Sequence, residues 1–250
     1  MHIHIAEDLN DLSRKYAYWL IEHIRYTLQK KSSLPAEKQI YTWALSGGST
    51  PQHLFQLLSK SPFKDQIPWE KLHIFWGDER LVPFHDSRNN GKMAYDLLLQ
   101  HVPVISSQVH YIPTEMKPEE AAQAYEKILH RYFDEQGFSF DLVMLGMGTN
   151  GHTLSLFPHT EVIHEKEKWV KAVFVDELSM YRITLTPVIV NRASCATFLV
   201  SGKDKADMLK KVLQGPYQPD AYPAQIIRLS NNELHWFVDR DAASELTLSE

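Results

Sequence analysis

Short apolar runs alternate with longer segments of helical period along nearly the whole chain. His2–Ala6 reads as a strand, after which Leu9, Leu12, Tyr16, Trp19, Leu20, Ile24 and Leu28 recur at helical spacing and predict an amphipathic helix over 8–29. The pattern then predicts a strand at Tyr41–Leu45, a helix over 51–60, a strand at Leu72–Trp76, a helix over 89–100, a strand over 109–112 and a helix at Pro118–Phe133. The run 140–145 is the most apolar and does not alternate, as expected of a central strand covered on both faces. Beyond it lie predicted strands over 169–175, 182–185, 196–200 and 234–238 and a helix over 203–213. Strands alternating with helices imply an α/β fold with a largely parallel sheet. No repeat, low-complexity tract or long linker interrupts the pattern, so a single domain over 1–250 is expected.

Composition narrows the class. With 250 residues, 44% of them hydrophobic, the chain can bury a sizeable core. A net charge of −5 gives no general attraction to nucleic acid or an anionic membrane, and the six tryptophans are scattered rather than striped, so neither partner is expected. The lone cysteine, Cys195, sits in an apolar stretch and reads as a buried thiol. The first residues lack the basic start and apolar core of a secretion signal, and no run is long enough to span a bilayer, which points to the cytoplasm.

In open parallel sheets ligands sit at the carboxyl ends of the strands, so the exits of the apolar runs are where chemistry is sought. At Ser46, Gly47, Gly48, Ser49 and Thr50, followed by Pro51, a glycine pair and hydroxyls precede a helix. Thr50 suits the N-cap, and the bare amides suit an anion, although a plain strand-to-helix turn has the same outline. No Walker lysine follows and no glycine precedes Ser46 as in a nucleophile elbow. The triplet Asp78-Glu79-Arg80 leaves the next strand. Arg80 suits phosphate or carboxylate, whereas the two acids suit sugar hydroxyls, pairing with Arg80, or simple solvation. At the third exit Gly146, Gly148 and Gly151 turn the chain and expose amides, leaving His152 at the mouth of the sheet as a candidate general base.

The segments Ser46-Gly-Gly-Ser-Thr-Pro51, Asp78-Glu-Arg-Leu-Val-Pro83, Asn90-Gly-Lys-Met-Ala94, Gly146-Met-Gly-Thr-Asn-Gly-His-Thr-Leu-Ser-Leu-Phe-Pro158, Arg182-Ile-Thr-Leu-Thr186 and Gly202-Lys-Asp-Lys205 together resemble the 6-phosphogluconolactonase family, the lactonase branch related to glucosamine-6-phosphate deaminases. The resemblance runs in family order from about residue 40 to 225. It implies a Rossmann-like three-layer α/β/α fold with a largely parallel central sheet, and hydrolysis of a small sugar-phosphate lactone without an organic cofactor. It makes His152 the base that activates water, assigns Ser46, Gly47, Gly48 and Ser49 to the substrate loop, and gives Arg80 and Lys205 to the phosphate. Asn90 falls in a matched segment, and Arg182 serves either the site or a structural ion pair.

One position departs from the family pattern: Asn150 stands where an aspartate is usual, two residues before His152. A neutral amide can orient the imidazole but stabilises its cation less. Three other readings stay open at this point. An amino-sugar-phosphate deaminase or isomerase would need carboxylates for carbon-bound proton transfer, and a non-catalytic sugar-phosphate sensor would bind without turnover. A catalytic metal is not expected, because His2 and His4 lie far from the predicted exits and His152 with His159 lacks the spacing of a zinc motif. Oligomeric state is expected to be a monomer or weak homo-oligomer.

Overall fold

Two sheets, rather than one, organise the strands of the computed structural model, which describes residues 1–231 and 233–247. The expected domain of 1–250 also takes in Asn232 and 248–250, which lie outside the described residues. The strands are β1 (His2–Ala6), β2 (Tyr41–Leu45), β3 (Leu72–Trp76), β4 (Asp78–Arg80), β5 (Leu142–Leu145), β6 (Val170–Val175), β7 (Met180–Leu185), β8 (Ala196–Val200) and β9 (Leu234–Asp239). The helices are α1 (Leu9–Lys30), α2 (Ser49–Leu58), α3 (Asn90–Leu97), α4 (Pro118–Phe133), α5 (Pro187–Val190) and α6 (Ala206–Gln214).

The large sheet has the order β1-β9-β8-β5-β2-β3, and every pairing in it is parallel. β5 is interior and all four of its residues are buried, as its unbroken apolar run predicts. Aromatic packing ties the layers together. Phe198 and Trp236 stack at 3.8 Å across β8 and β9, and the Tyr125 hydroxyl of α4 accepts from the Trp76 amide and donates to its carbonyl on β3. From β2 the chain moves outward to β3, then returns to β5 on the other side of β2 and continues away to β8 and β9. The reversal opens a crevice between the carboxyl ends of β2 and β5, the position at which open α/β sheets bind ligands.

The second sheet, β4-β7-β6, is antiparallel. Residues 169–175 and 182–185 therefore pair with each other instead of extending the parallel sheet, and the Asp78-Glu79-Arg80 triplet is a strand instead of a solvated loop. Gly77 is the joint: its amide donates to Leu45 of β2 (2.9 Å) while its carbonyl accepts from Leu185 of β7 (2.8 Å). Charged residues hide β4 from a hydrophobicity pattern, although Asp78 and Glu79 are both buried.

Smaller corrections have local causes. α2 starts at Ser49, two residues early, because Gly48 with φ +106° forms the N-cap; Thr50 is inside the first turn and no side chain caps the helix. The expected strand over 109–112 shrinks to one bridge, Ile74 to Val109, and Pro113 just beyond lacks the N–H to continue a ladder. Asn89 caps α3 through Lys92, and that helix ends at Leu97 in a 3-10 turn. Residues Lys203–Lys205 form another such turn before α6. No described helix is long and apolar enough to cross a membrane.

Candidate active site

The crevice at the switch point is a cavity of ≈ 200 Å³ to which the exits of β2, β5 and β8 and strands β4 and β7 contribute. After β2, the segment from Ser46 to Pro51 lines it. With Gly48 as cap and no side chain covering the start of α2, first-turn amides and the positive end of the helix dipole are left for a ligand. Gly146, Met147, Gly148, His152 and Leu154 follow β5, Asp78 and Arg80 come from β4, Arg182 from β7, and Ser201 and Lys205 from the exit of β8.

His152 is held from three sides. Asn150 Oδ1 accepts from His152 Nδ1 at 2.6 Å and from the His152 amide at 3.2 Å, and the ring stacks on Phe157 with centroids 4.3 Å apart. The turn closes through Gly148 N–H to the His152 carbonyl (2.9 Å), and a Cβ at residue 148 would lie 2.1 Å from Nδ1, so only glycine fits under the ring. Because an amide oxygen only accepts, Nδ1 carries the proton and Nε2 keeps a free lone pair. Burial pushes the His152 pKa down to about 4. The Asp78 carboxylate opposes this, while Arg182, Lys205 and Arg80 add to it. The imidazole is therefore neutral at neutral pH and competent to accept a proton.

Neighbours on β4 point opposite ways, as alternation requires. Asp78 faces the cavity, accepting from the Ser155 hydroxyl at 2.7 Å and lying 3.7 Å from Arg182. Glu79 faces the scaffold. Its two oxygens accept amides of Arg80, Asn90 and Gly91 at 2.7–2.8 Å, which corrects the expectation that it meets sugar hydroxyls or pairs with the Arg80 side chain. Burial outweighs those amides and lifts the Glu79 pKa to about 7. Arg80 instead donates from Nη1 to the Arg88 carbonyl at 2.6 Å. The Nε groups of Arg80 and Arg182 are buried without a partner among the described residues. Two such donors beside one cavity call for an anion.

Of the residues expected from sequence, Ser46, Gly47, Gly48, Ser49, Thr50, Asp78, Arg80, Asn90, Gly148, His152, Arg182 and Lys205 line the cavity together. Asn90 also donates to the Asp78 carbonyl. Two do not line it. Asn150 reaches the site only through His152, and Gly151, at φ +79°, faces Met208 and Tyr222 behind the loop. Arg182 lines the cavity and also pairs with Asp78. Met147, Leu154, Leu199, Val200 and Ser201 were not anticipated. Ser201 was within reach, since it follows β8 as Ser46 follows β2; Asp239, at the end of β9, holds both its hydroxyl and the Gly202 amide.

A switch-point crevice with a neutral imidazole, uncapped helix amides and three cationic side chains is the site of an α/β enzyme acting on a small anionic substrate. Comparisons with known proteins narrow that class. The family model described as glucosamine-6-phosphate isomerases/6-phosphogluconolactonase matches residues 7–236. The 6-phosphogluconolactonase of Haemophilus influenzae is 37% identical over 199 residues, covering 80% of this chain and 84% of its own length. That of Synechocystis is 38% identical over 215 residues, covering 84% and 87%. The solved 6-phosphogluconolactonase of Trypanosoma cruzi superposes with a TM-score of 0.83 at 26% identity, covering 99% of this chain and 97% of that one. The chain belongs to the glucosamine-6-phosphate isomerase/6-phosphogluconolactonase family.

Proposed function

We propose that this chain is a 6-phosphogluconolactonase. It hydrolyses 6-phospho-D-glucono-1,5-lactone to 6-phospho-D-gluconate, a step of the oxidative pentose phosphate pathway, with His152 as general base. The observation that carries the mechanism is the pairing of His152 Nδ1 with Asn150, which leaves Nε2 as the accepting nitrogen in a cavity shared with Arg80, Arg182 and Lys205.

Nε2 takes a proton from water as the water oxygen bonds to the lactone carbonyl carbon. Charge develops on the carbonyl oxygen, where amides of the glycine-rich exits can donate to it. Collapse of the tetrahedral intermediate breaks the bond from that carbon to the ring oxygen, which leaves with the proton from His152. A δ-lactone is an activated ester, so no covalent nucleophile is needed. Arg80, Arg182, Lys205 and the start of α2 hold the phosphate, and that distant binding energy fixes the carbonyl against the base. Asp78 keeps Arg182 in place. On this reading the chain acts as one domain in the cytoplasm, as a monomer or weak homo-oligomer, with no organic cofactor or catalytic metal.

The test uses freshly generated lactone, followed against its spontaneous opening, and a parallel assay of ammonia release from glucosamine 6-phosphate. Accelerated ring opening with no ammonia is expected. Hydrolysis at the buffer rate, or ammonia release, overturns the reading.

A further inference from the structure

Far from the cavity, at the amino ends of β1 and β9, four titratable side chains meet on one face of the large sheet. His2 and His235 are register partners across the parallel ladder, with rings stacked at 4.7 Å. Glu233 lies just before β9, and its Oε2 is 3.3 Å from His235 Nε2. Strand alternation puts His4 on the same face as His2, and His4 Nε2 is 3.1 Å from His235 Nδ1. The candidate ligand atoms of His2, Glu233 and His235 all lie within 4.8 Å of one another. We propose that His2, Glu233 and His235 form a binding site for a first-row divalent transition ion, with Zn2+ as the probe, which clamps β1 to β9.

The chemistry of the donor set selects the ion. Two imidazoles and one carboxylate suit zinc and its neighbours, whereas magnesium and calcium prefer oxygen throughout. Three protein ligands leave a fourth position to water. His4 supplies what isolated surface histidines lack: as acceptor for His235 Nδ1–H it fixes the tautomer in which Nε2 presents its lone pair to the ion. Phe237 stacks on His4 at 4.2 Å and Trp19 packs beside His235 at 5.1 Å, so both rings have little freedom left to lose. In the ion-free state His235 Nε2 lies 3.3 Å from Glu233 Oε2, and an ion bound between them joins the two groups.

The mechanical consequence follows from topology. Among the described residues β1 is the edge of the large sheet and pairs only with β9, so an ion bridging His2 to residues 233 and 235 ties the edge at its start. The cavity lies at the opposite ends of the strands, which leaves hydrolysis outside the reach of this site.

The full chain is titrated with ZnCl2 and with MgCl2 at neutral pH in a non-chelating buffer, by calorimetry and by thermal melting. Saturation at one Zn2+ per chain and a melting midpoint that rises with Zn2+ but not Mg2+ are expected. His4→Leu should weaken Zn2+ binding roughly 10–100-fold, the usual effect of losing an orienting partner, and His2→Ala and Glu233→Gln at least as much. Both of the latter residues are exposed, so these two variants keep the fold, and Glu233→Gln should open the lactone at the unaltered rate. Absence of Zn2+ binding overturns the proposal. So does binding that persists in His2→Ala and Glu233→Gln, or binding that only His152→Ala abolishes, which would put the ion in the cavity.

Discussion

The exits of β2 and β5 border one crevice and offer it different things. After β2, Gly48 turns the chain straight into α2, and the residues from Ser46 to Pro51 bring to the cavity the start of a helix that no side chain caps. After β5 no helix starts. The turn instead closes on itself, Gly151 N–H to the Gly148 carbonyl at 3.0 Å and Gly148 N–H to that of His152, and spends its geometry on aiming one ring. On the proposed mechanism anion binding is thus shared among main-chain donors and several side chains, whereas proton transfer rests on a single imidazole. Substitutions should separate accordingly, turnover collapsing at one position and affinity declining by degrees at many.

The sharpest break comes from His152→Ala. Loss of a general base typically costs roughly 10²–10⁴-fold, and the expected effect is a fall of that size in kcat with KM nearly unchanged. Single-turnover hydrolysis of fresh lactone measures it. A variant that keeps the parental kcat would remove His152 from proton transfer. Next in size is Arg80→Ala, which on the proposed mechanism withdraws one charged donor from the phosphate. Hydrogen bonds to charged groups contribute about 1.5–3 kcal/mol, so KM should rise roughly ten- to a hundredfold with kcat held within a few-fold. If kcat falls as far as in His152→Ala, the division of labour between the two exits is wrong.

How much of this was legible in sequence differs between the sheets for a physical reason. In the parallel sheet, burial on both faces favours apolar runs, and β2, β3 and β8 stand at the expected residues, as does the half-exposed edge strand β1, where histidine alternates with isoleucine. In the small sheet β6 and β7 were expected as strands but not as an antiparallel pair, and β4 gave no such signal. β4 is three charged residues, and the burial of Asp78 and Glu79 is made tolerable by partners 11 to 104 positions away: Asn90 and Gly91 for one, Ser155 and Arg182 for the other. Such partners are invisible to local periodicity. Within the site, residues borne on strand exits were legible, because exit position and chemistry coincide. The cap at Gly48 was not, since Thr50 has the better side chain for a cap and only the positive φ of the turn decides for glycine. Apolar lining such as Leu154 and Leu199 looks like any other core residue until the cavity is seen.

The smallest and most discriminating change is Asn150→Asp, which places a carboxylate at the imidazole's other nitrogen. In the parent, burial first and then Arg182, Lys205 and Arg80 hold the His152 pKa at about 4. The neutral base is present above that pH and is lost as pH falls through it, so kcat/KM, which reports the free enzyme, should drop on the acid side near that value. A bound phosphate offsets the pull of the three cations and raises the pKa in the complex, placing the acid limb of kcat at higher pH than that of kcat/KM. An aspartate 2.6 Å from Nδ1 favours the imidazolium in both states and should move both limbs upward, with plateau turnover retained or raised within about tenfold, as a stronger base predicts. Limbs that stay in place, or shift to lower pH, would show that the titrating group is not His152. A loss beyond about tenfold in a folded variant would mean that the amide does more than orient the ring, since orientation is the one duty a carboxylate at that position performs equally well.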